Sequence, residues 1–214
     1  MSRIANLFGK FRPRSQEENP PAHGAIQWVI AGLGNPGEQY RRSRHNLGFM
    51  AVRRLAAAHN TELSRRKFNA LYGELRISGA AALLMMPQAF YNRSGESAAS
   101  MLGYFKIDAA RLIVVHDEMD LSEGQLRVKR GGGDAGNRGV RSIIEALGTP
   151  DFIRVRIGVS HAAGDQDGIN HVLKPLDKDE MARFEPLLDR ASEAVLAIMR
   201  DGLERAMNIY NQRA

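Results

Sequence analysis

Gly32-Leu33-Gly34-Asn35-Pro36-Gly37 follows directly on an apolar run that includes Ile26, Trp28, Val29, Ile30 and Ala31. The hexapeptide fits G-x-G-x-x-G, the turn that opens a dinucleotide-binding unit. Such a turn needs a helix starting at once, with its amide dipoles facing a pyrophosphate, and an acidic residue about 20 positions on for the ribose. Neither is present. Residues Glu38-Gln39-Tyr40-Arg41-Arg42-Ser43-Arg44 carry no apolar face for packing on a sheet, and where the acid is due the chain reads Ala56-Ala57-Ala58-His59-Asn60, with no carboxylate until Glu62. The polar stretch ends instead in Arg44-His45-Asn46. The glycines therefore read as holding Asn35 on a tight turn with a histidine close behind, which points to a hydrolytic or acyl-transfer site.

Outward from this turn, apolar runs alternate with helical patterns. Residues 26–31 read as a buried strand and 47–59 as a helix with Phe49, Met50, Leu55 and Ala58 toward the core. Residues 68–77 and 81–86 read as two strands around Ser78-Gly79. Pro87 closes the second, and Ser94 or Ser97 is a candidate cap for a helix carrying Ala98, Met101, Leu102 and Phe105. Residues 112–115 form a short central strand that ends at His116-Asp117. Residues 125–130 and 153–159 alternate apolar and basic side chains, as half-exposed strands do. Between them, Gly131-Gly132-Gly133-Asp134-Ala135-Gly136 reads as a flexible loop leading to a helix with Val140, Ile143, Ile144 and Leu147. The chain from Lys178 onward is mainly helical. Interleaved strands and helices predict a single α/β domain in three layers, α/β/α, around a mixed, largely parallel sheet spanning residues 25–214. Residues 1–24, basic and broken by Pro13, Pro20 and Pro21 around a patch of Ile4, Leu7 and Phe8, read as a flexible tail.

The 214 residues suffice for one domain with a real core, and 43% hydrophobic with 25% charged residues is ordinary for a globular protein. The chain has no cysteine, which excludes disulfides, thiolate nucleophiles and cysteine-ligated zinc. No apolar run approaches the roughly 18 residues of a membrane span, and the N-terminus lacks a signal-peptide core, so a cytoplasmic protein is expected. Thirty Lys+Arg against 24 Asp+Glu give a formal charge of +6. Excess positive charge favours polyanions, and the cluster of Arg127, Lys129, Arg130, Arg138 and Arg141 around a glycine-rich stretch strengthens a nucleic-acid reading.

In open α/β sheets ligands bind beyond the carboxyl ends of the strands. Gly34-Asn35-Pro36, Pro87-Gln88-Ala89-Phe90-Tyr91-Asn92 and His116-Asp117-Glu118 each follow an apolar run, and parallel neighbouring strands would bring all three to one edge. His45 would add a base. Neutral imidazole, with an unperturbed pKa of about 6.5, takes a proton from water, and a carboxylate on its other nitrogen fixes the tautomer. His45 reads equally well as a capping or solvent-facing residue at a helix start. Asp117 is the natural carboxylate partner. Asn35 and Asn92 offer neutral donors and acceptors for a peptide or a carbonyl, although residue type alone makes them ordinary turn residues. A serine nucleophile finds no G-x-S-x-G elbow, and His45, His116, His161 and His171 lack the spacing of a metal site.

Taken together and in order, the Gly32–Gly37 hexapeptide, Arg44-His45-Asn46, residues 87–95, His116-Asp117-Glu118-Met119-Asp120-Leu121, Lys129-Arg130-Gly131-Gly132-Gly133, residues 151–158 and Ala206-Met207-Asn208 resemble the bacterial peptidyl-tRNA hydrolases, over residues 26–211. The resemblance implies an enzyme that cleaves the ester between peptide and tRNA by general-base attack of water, without metal or organic cofactor. It implies peptidyl-tRNA as the partner; without a long apolar run no membrane is expected, and a monomer is expected because one compact domain can bury its own core. The resemblance assigns His45 as the base and Asp117 as its orienting acid. It puts Asn35, Tyr40, Asn46, Tyr91, Asn92, Asn137 and Arg138 against substrate, and Lys129, Arg130 and Arg156 against tRNA phosphate.

One block departs. The family follows its glycine-rich segment with His-Gly-Gly-His-Asn-Gly, where this chain reads Asp134-Ala135-Gly136-Asn137-Arg138-Gly139. Both histidines are absent and Arg138 stands where asparagine is expected. The departure favours an alternative, a non-catalytic RNA-binding protein on the same scaffold; retained His45 and Asp117 favour the enzyme.

Overall fold

Trp28–Gly32 forms β1, and its alternation creates the layers. Trp28 and Ile30 pack into one hydrophobic cluster, while Val29 and Ala31 pack into another on the opposite face. The computed structural model describes residues 26–77, 79–161 and 168–212. The tail expected over 1–24 lies outside the described residues.

The order is β1, α1 (Leu47–Ala58), β2 (Arg65–Lys67), β3 (Ala70–Ile77), β4 (Ala80–Pro87), α2 (Ser94–Phe105), β5 (Leu112–Glu118), β6 (Leu126–Arg130), α3 (Arg138–Leu147), β7 (Ile153–Gly158), α4 (Gly168–Leu173), α5 (Lys178–Asp201) and α6 (Leu203–Tyr210). Seven strands form one sheet in the order β2-β3-β4-β1-β5-β7-β6. The four inner strands run parallel, and β2, β3 and β6 pair antiparallel at the flanks. Core residues of α1, α5 and α6 share the Trp28 face, and those of α2 and α3 share the Val29 face. This is the expected three-layer α/β/α arrangement with a mixed, largely parallel sheet. Among the described residues no helix is long and apolar enough to cross a membrane.

Of the opening glycines, Gly32 and Gly34 serve close approach, while Gly37, at φ +111°, supplies the turn conformation. A Cβ on Gly32 would lie 2.3 Å from the Gly48 carbonyl oxygen, and one on Gly48 would lie 2.2 Å from that of Val115. The first turn of α1 thus sits hard against the ends of β1 and β5. No helix opens after Gly37; a 3-10 turn (Glu38–Tyr40) and a second one (Arg44–Asn46) precede α1.

Several local expectations are corrected. β5 runs on through His116, Asp117 and Glu118, because the ladder to Arg156, Ile157 and Gly158 of β7 keeps these polar residues extended. Neither Ser94 nor Ser97 caps α2. The 3-10 turn Tyr91–Arg93 feeds straight into the helix, while Ser94 Oγ donates to the Tyr91 carbonyl and Ser97 Oγ to that of Asn69. Ala58 is exposed and Ala56 takes the core position, since the last turn of α1 leaves the sheet. Basic β2 was not anticipated, having no apolar alternation to mark it. Arg154 is buried rather than on an open basic face. Its guanidinium donates to the carbonyls of Gly133 (2.6 Å) and Gly132 (2.7 Å), so the glycine loop read as flexible is clasped from below.

Candidate active site

β4, β1 and β5 are parallel neighbours, so the three polar clusters emerge side by side at their carboxyl ends. They open a cavity of about 400 Å³ whose lining includes Asn35, Tyr40, His45, Tyr91, Asn92, Asp117, Asn137 and Arg138. These are eight of the sequence-predicted residues. Asn46, Lys129, Arg130 and Arg156 do not line it.

His45 lies in the Arg44–Asn46 turn, anchored by the half-buried ion pair of Arg44 with Glu180 of α5. Its Nδ1 stands 2.9 Å from Asp117 Oδ2. Asp117 is 2% exposed. Burial alone would raise its carboxyl, but the charge and hydrogen bond of His45, followed by the Tyr91 hydrogen bond, outweigh that and hold it below the usual carboxylate range. An ionised Asp117 only accepts, so Nδ1 carries the proton and Nε2 keeps its lone pair for a proton from substrate or water.

Tyr91 completes the pair from the other side. Its hydroxyl donates to Asp117 Oδ1 (2.7 Å), and its ring stacks on the imidazole at 3.5 Å between centroids and 12° between planes. Burial first, then the charge of Asp117, pushes the phenol well above its ordinary range, so it remains a donor. Gly139 makes the room: a Cβ there would lie 2.4 Å from Tyr91 Cε1. His116, pushed down by burial and so neutral, donates from Nδ1 to the Asp117 carbonyl (2.7 Å).

The asparagines divide into braces and free donors. Asn46 Oδ1 accepts from the Asn35 amide (2.8 Å) and its Nδ2 donates to the Asn35 carbonyl (2.9 Å), so Asn46 stands behind the turn as a clamp. Asn35 Oδ1 accepts from the Tyr91 amide (2.8 Å), which ties the β1 turn to the β4 turn. Its Nδ2 makes no hydrogen bond among the described residues, and neither does the exposed side chain of Asn92. Asn137 is the N-cap of α3: Oδ1 accepts from the amides of Gly139 (3.1 Å) and Val140 (3.0 Å). Its Nδ2 donates to the Tyr91 hydroxyl (3.0 Å) and the Asp117 carbonyl (3.1 Å). The amide expected at substrate is thus spent inside the protein. Arg138, next in the chain, is exposed and has no bond or ion pair among the described residues.

An apolar wall was missed by the sequence reading: Phe90, 62% exposed, with Met119, Val172 and Leu173. Phe90 carried a signal, an aromatic inside a polar cluster; the other three sit on β5's exit and α4 with nothing local to distinguish them.

The basic residues gather on the β6–β7 edge, where Lys129 faces Arg154 and Arg127 faces Arg156 in register. Arg156 is held by Glu118 (Nη2 to Oε2, 2.8 Å) and Arg130 pairs with Asp151 (3.3 Å). Burial, then Arg156 and Arg154, pushes the Lys129 ammonium down. Like charges set opposite one another favour a bound anion.

A family model described as "Peptidyl-tRNA hydrolase" matches residues 29–214. The peptidyl-tRNA hydrolase of Frankia casuarinae is 44% identical over 184 residues, covering 86% of this chain and 93% of its own length. That of Caldanaerobacter subterraneus subsp. tengcongensis is 41% identical, covering 86% and 99%. The crystal structure of peptidyl-tRNA hydrolase from Acinetobacter baumannii superposes with a TM-score of 0.80 at 33% identity, over 88% of this chain and 96% of that one. With nearly the whole described chain matched and the parallel strands delivering His45 and Asp117 to one cavity, the chain belongs to the peptidyl-tRNA hydrolase family.

Proposed function

We propose that this enzyme hydrolyses the ester of peptidyl-tRNA in the cavity beneath Asn35 and Arg138, with His45 as general base. The observation that carries the reading is the His45–Asp117 contact of 2.9 Å within that cavity. His45 Nε2 takes a proton from water as the oxygen attacks the ester carbonyl. The imidazolium is stabilised by Asp117 through Nδ1–H. The tetrahedral adduct collapses by expelling the ribose oxygen, which takes the proton back from His45, leaving a peptide acid and tRNA with a free hydroxyl. The free Nδ2 groups of Asn35 and Asn92 are suited to the peptide and to the carbonyl oxygen as charge develops. The apolar wall suits side chains of the peptide.

The test is release of a labelled N-acyl-aminoacyl group from tRNA by the native protein. Turnover is expected. Retained tRNA binding without turnover would reverse the reading toward an RNA-binding scaffold.

The tRNA body is assigned to the β6–β7 edge, through Lys129, Arg130 and Arg156, with Arg138 toward the 3′ end. Lys129→Ala is expected to weaken binding across tRNA species and to reduce the slope of log affinity against log salt by about 1. An unchanged slope would remove Lys129 from the interface. Arg138→Ala is expected to raise KM with little change in kcat, because an exposed cation at the rim holds phosphate rather than the reacting carbonyl. A fall in kcat at constant KM would move Arg138 to the reacting atoms instead. Action as a monomer is supported by a surface on which, among the described residues, Phe90 and Ile209 are the large apolar side chains left exposed.

A further inference from the structure

Tyr91 was expected to touch substrate, yet it is 3% exposed and both functions of its hydroxyl are engaged within the protein: it donates to Asp117 Oδ1 and accepts from Asn137 Nδ2. Its ring is nearly parallel to the imidazole and in contact with it. The geometry points to Tyr91 as a positioning residue that sets both the plane of His45 and the strength with which Asp117 holds the charge that develops on it. This inference rests on His45 being the base.

Two effects are separable. The flat ring bars rotation of the imidazole out of line with Asp117, because a tilted ring would collide with a phenol held from both sides. The hydroxyl draws charge from Asp117 Oδ1, leaving less on Oδ2 for the imidazolium. It also fixes the carboxylate rotamer, since Oδ1 and Oδ2 each have one committed donor. The backbone amide of Tyr91 is held in turn by Asn35 Oδ1, so the ring's placement is coupled to the turn that carries Asn35.

Besides Asp117 and Tyr91, the titratable groups that line the cavity with His45 among the described residues are Tyr40 and Arg138, while His116 and Glu118 flank Asp117 on β5 and His171 lies on α4. Arg44 in its own turn is paired with Glu180, and Glu118 with Arg156. None of these makes a direct bond to the imidazole, so loss of the Tyr91 hydroxyl acts through Asp117.

Tyr91→Phe keeps the ring and removes the donor. The acid limb of kcat/KM is expected to move to higher pH by roughly half a unit to one unit, because a more basic Asp117 retains the proton on His45 longer. The plateau above the limb falls by less than in a variant that also loses the ring, because the stack survives while the brace on Asp117 is lost. Tyr91→Leu, which loses the flat ring as well, lowers the plateau. An NMR titration of the His45 ring, which needs no turnover, is expected to show the same upward move in Tyr91→Phe. A structural role alone would lower the melting temperature and leave limb and ring titration where they are; that result, or a limb moving to lower pH, overturns the inference. Turnover surviving in His45→Ala would instead overturn the reading beneath it.

Discussion

Replacing His45 by Ala is expected to lower kcat for release of a labelled N-acyl-aminoacyl group from tRNA by about 10²–10⁴-fold, with KM little changed. Among the described residues His45 is the cavity-lining side chain whose free nitrogen is a base and whose other nitrogen is oriented by a buried carboxylate. His116 cannot substitute, because its Nδ1 is committed to the Asp117 carbonyl and burial surrounds it. The residual rate would come from water attacking a carbonyl still positioned by Asn35 and Asn92. The variant should fold: His45 is partly exposed, and the turn that carries it is anchored by Arg44 and Asn46. Steady-state release with N-acyl-aminoacyl-tRNA in excess of KM is the measurement, and an unchanged kcat would sink the mechanism.

Asp117→Asn is expected to cost about 10²–10⁴-fold in kcat as well, at nearly constant volume. Asp117 is approached by two donors, the Tyr91 hydroxyl on Oδ1 and His45 Nδ1–H on Oδ2. An amide offers one acceptor and one donor, so one of these contacts must invert. With its NH₂ toward His45, the imidazole switches to the Nε2–H tautomer and the base is lost. With its NH₂ toward Tyr91, the hydroxyl already accepting from Asn137 has no acceptor for its own proton. Either arrangement also removes the charge that stabilises imidazolium. The kinetic loss should be accompanied by a change in His45 tautomer visible in its ring nitrogen resonances. Native-like kcat with the native tautomer would show that Asp117 serves only the fold.

Arg138 and Asn137 form the block in which this chain departs from its family's pattern, and the structure gives each a distinct place. Asn137 occupies the capping position of α3 and braces Tyr91 and Asp117 at the same time. Arg138, one residue on, brings a free guanidinium to the cavity rim. Capping chemistry explains why asparagine cannot simply do its neighbour's work: its carbonyl is bound to the helix amides, which fixes where its amide points.

Much was legible because the interactions behind it are local. The buried strand β1 followed from its apolar run and the alternation of β6 from the two-residue repeat of a strand, and the helix patterns of α1 and α3 from apolar spacing. Failures came where a distant partner overrode local preference. His116-Asp117-Glu118 looked like the end of a strand, but β7 supplies ladder partners that keep it extended. Ser94 and Ser97 looked like caps, yet their hydroxyls go to carbonyls outside the helix. Arg154 looked exposed in an alternating strand, but the glycine loop folds over it and offers its carbonyls.

By itself the sequence determined that the hexapeptide at Gly32 is no nucleotide turn and that the layers are α/β/α, and it grouped His45, Asp117 and the asparagines as candidates for one site. Those conclusions needed only spacing, residue type and the ordered motifs of a family. The tertiary structure decided which of them meet there. Asp117 meets His45 across 72 positions and Tyr91 across 26, and Asn35 meets Tyr91 across 56. The parallel order β4-β1-β5 brings them within hydrogen-bond reach, and a contact geometry between residues so far apart leaves no periodic trace in the chain. Gly32 of the opening turn likewise proved to serve packing: with a side chain there, or at Gly48 of α1, the helix could not approach closely enough to set the preceding turn and its His45 against Asp117, whereas Gly37, at φ +111°, serves the turn itself.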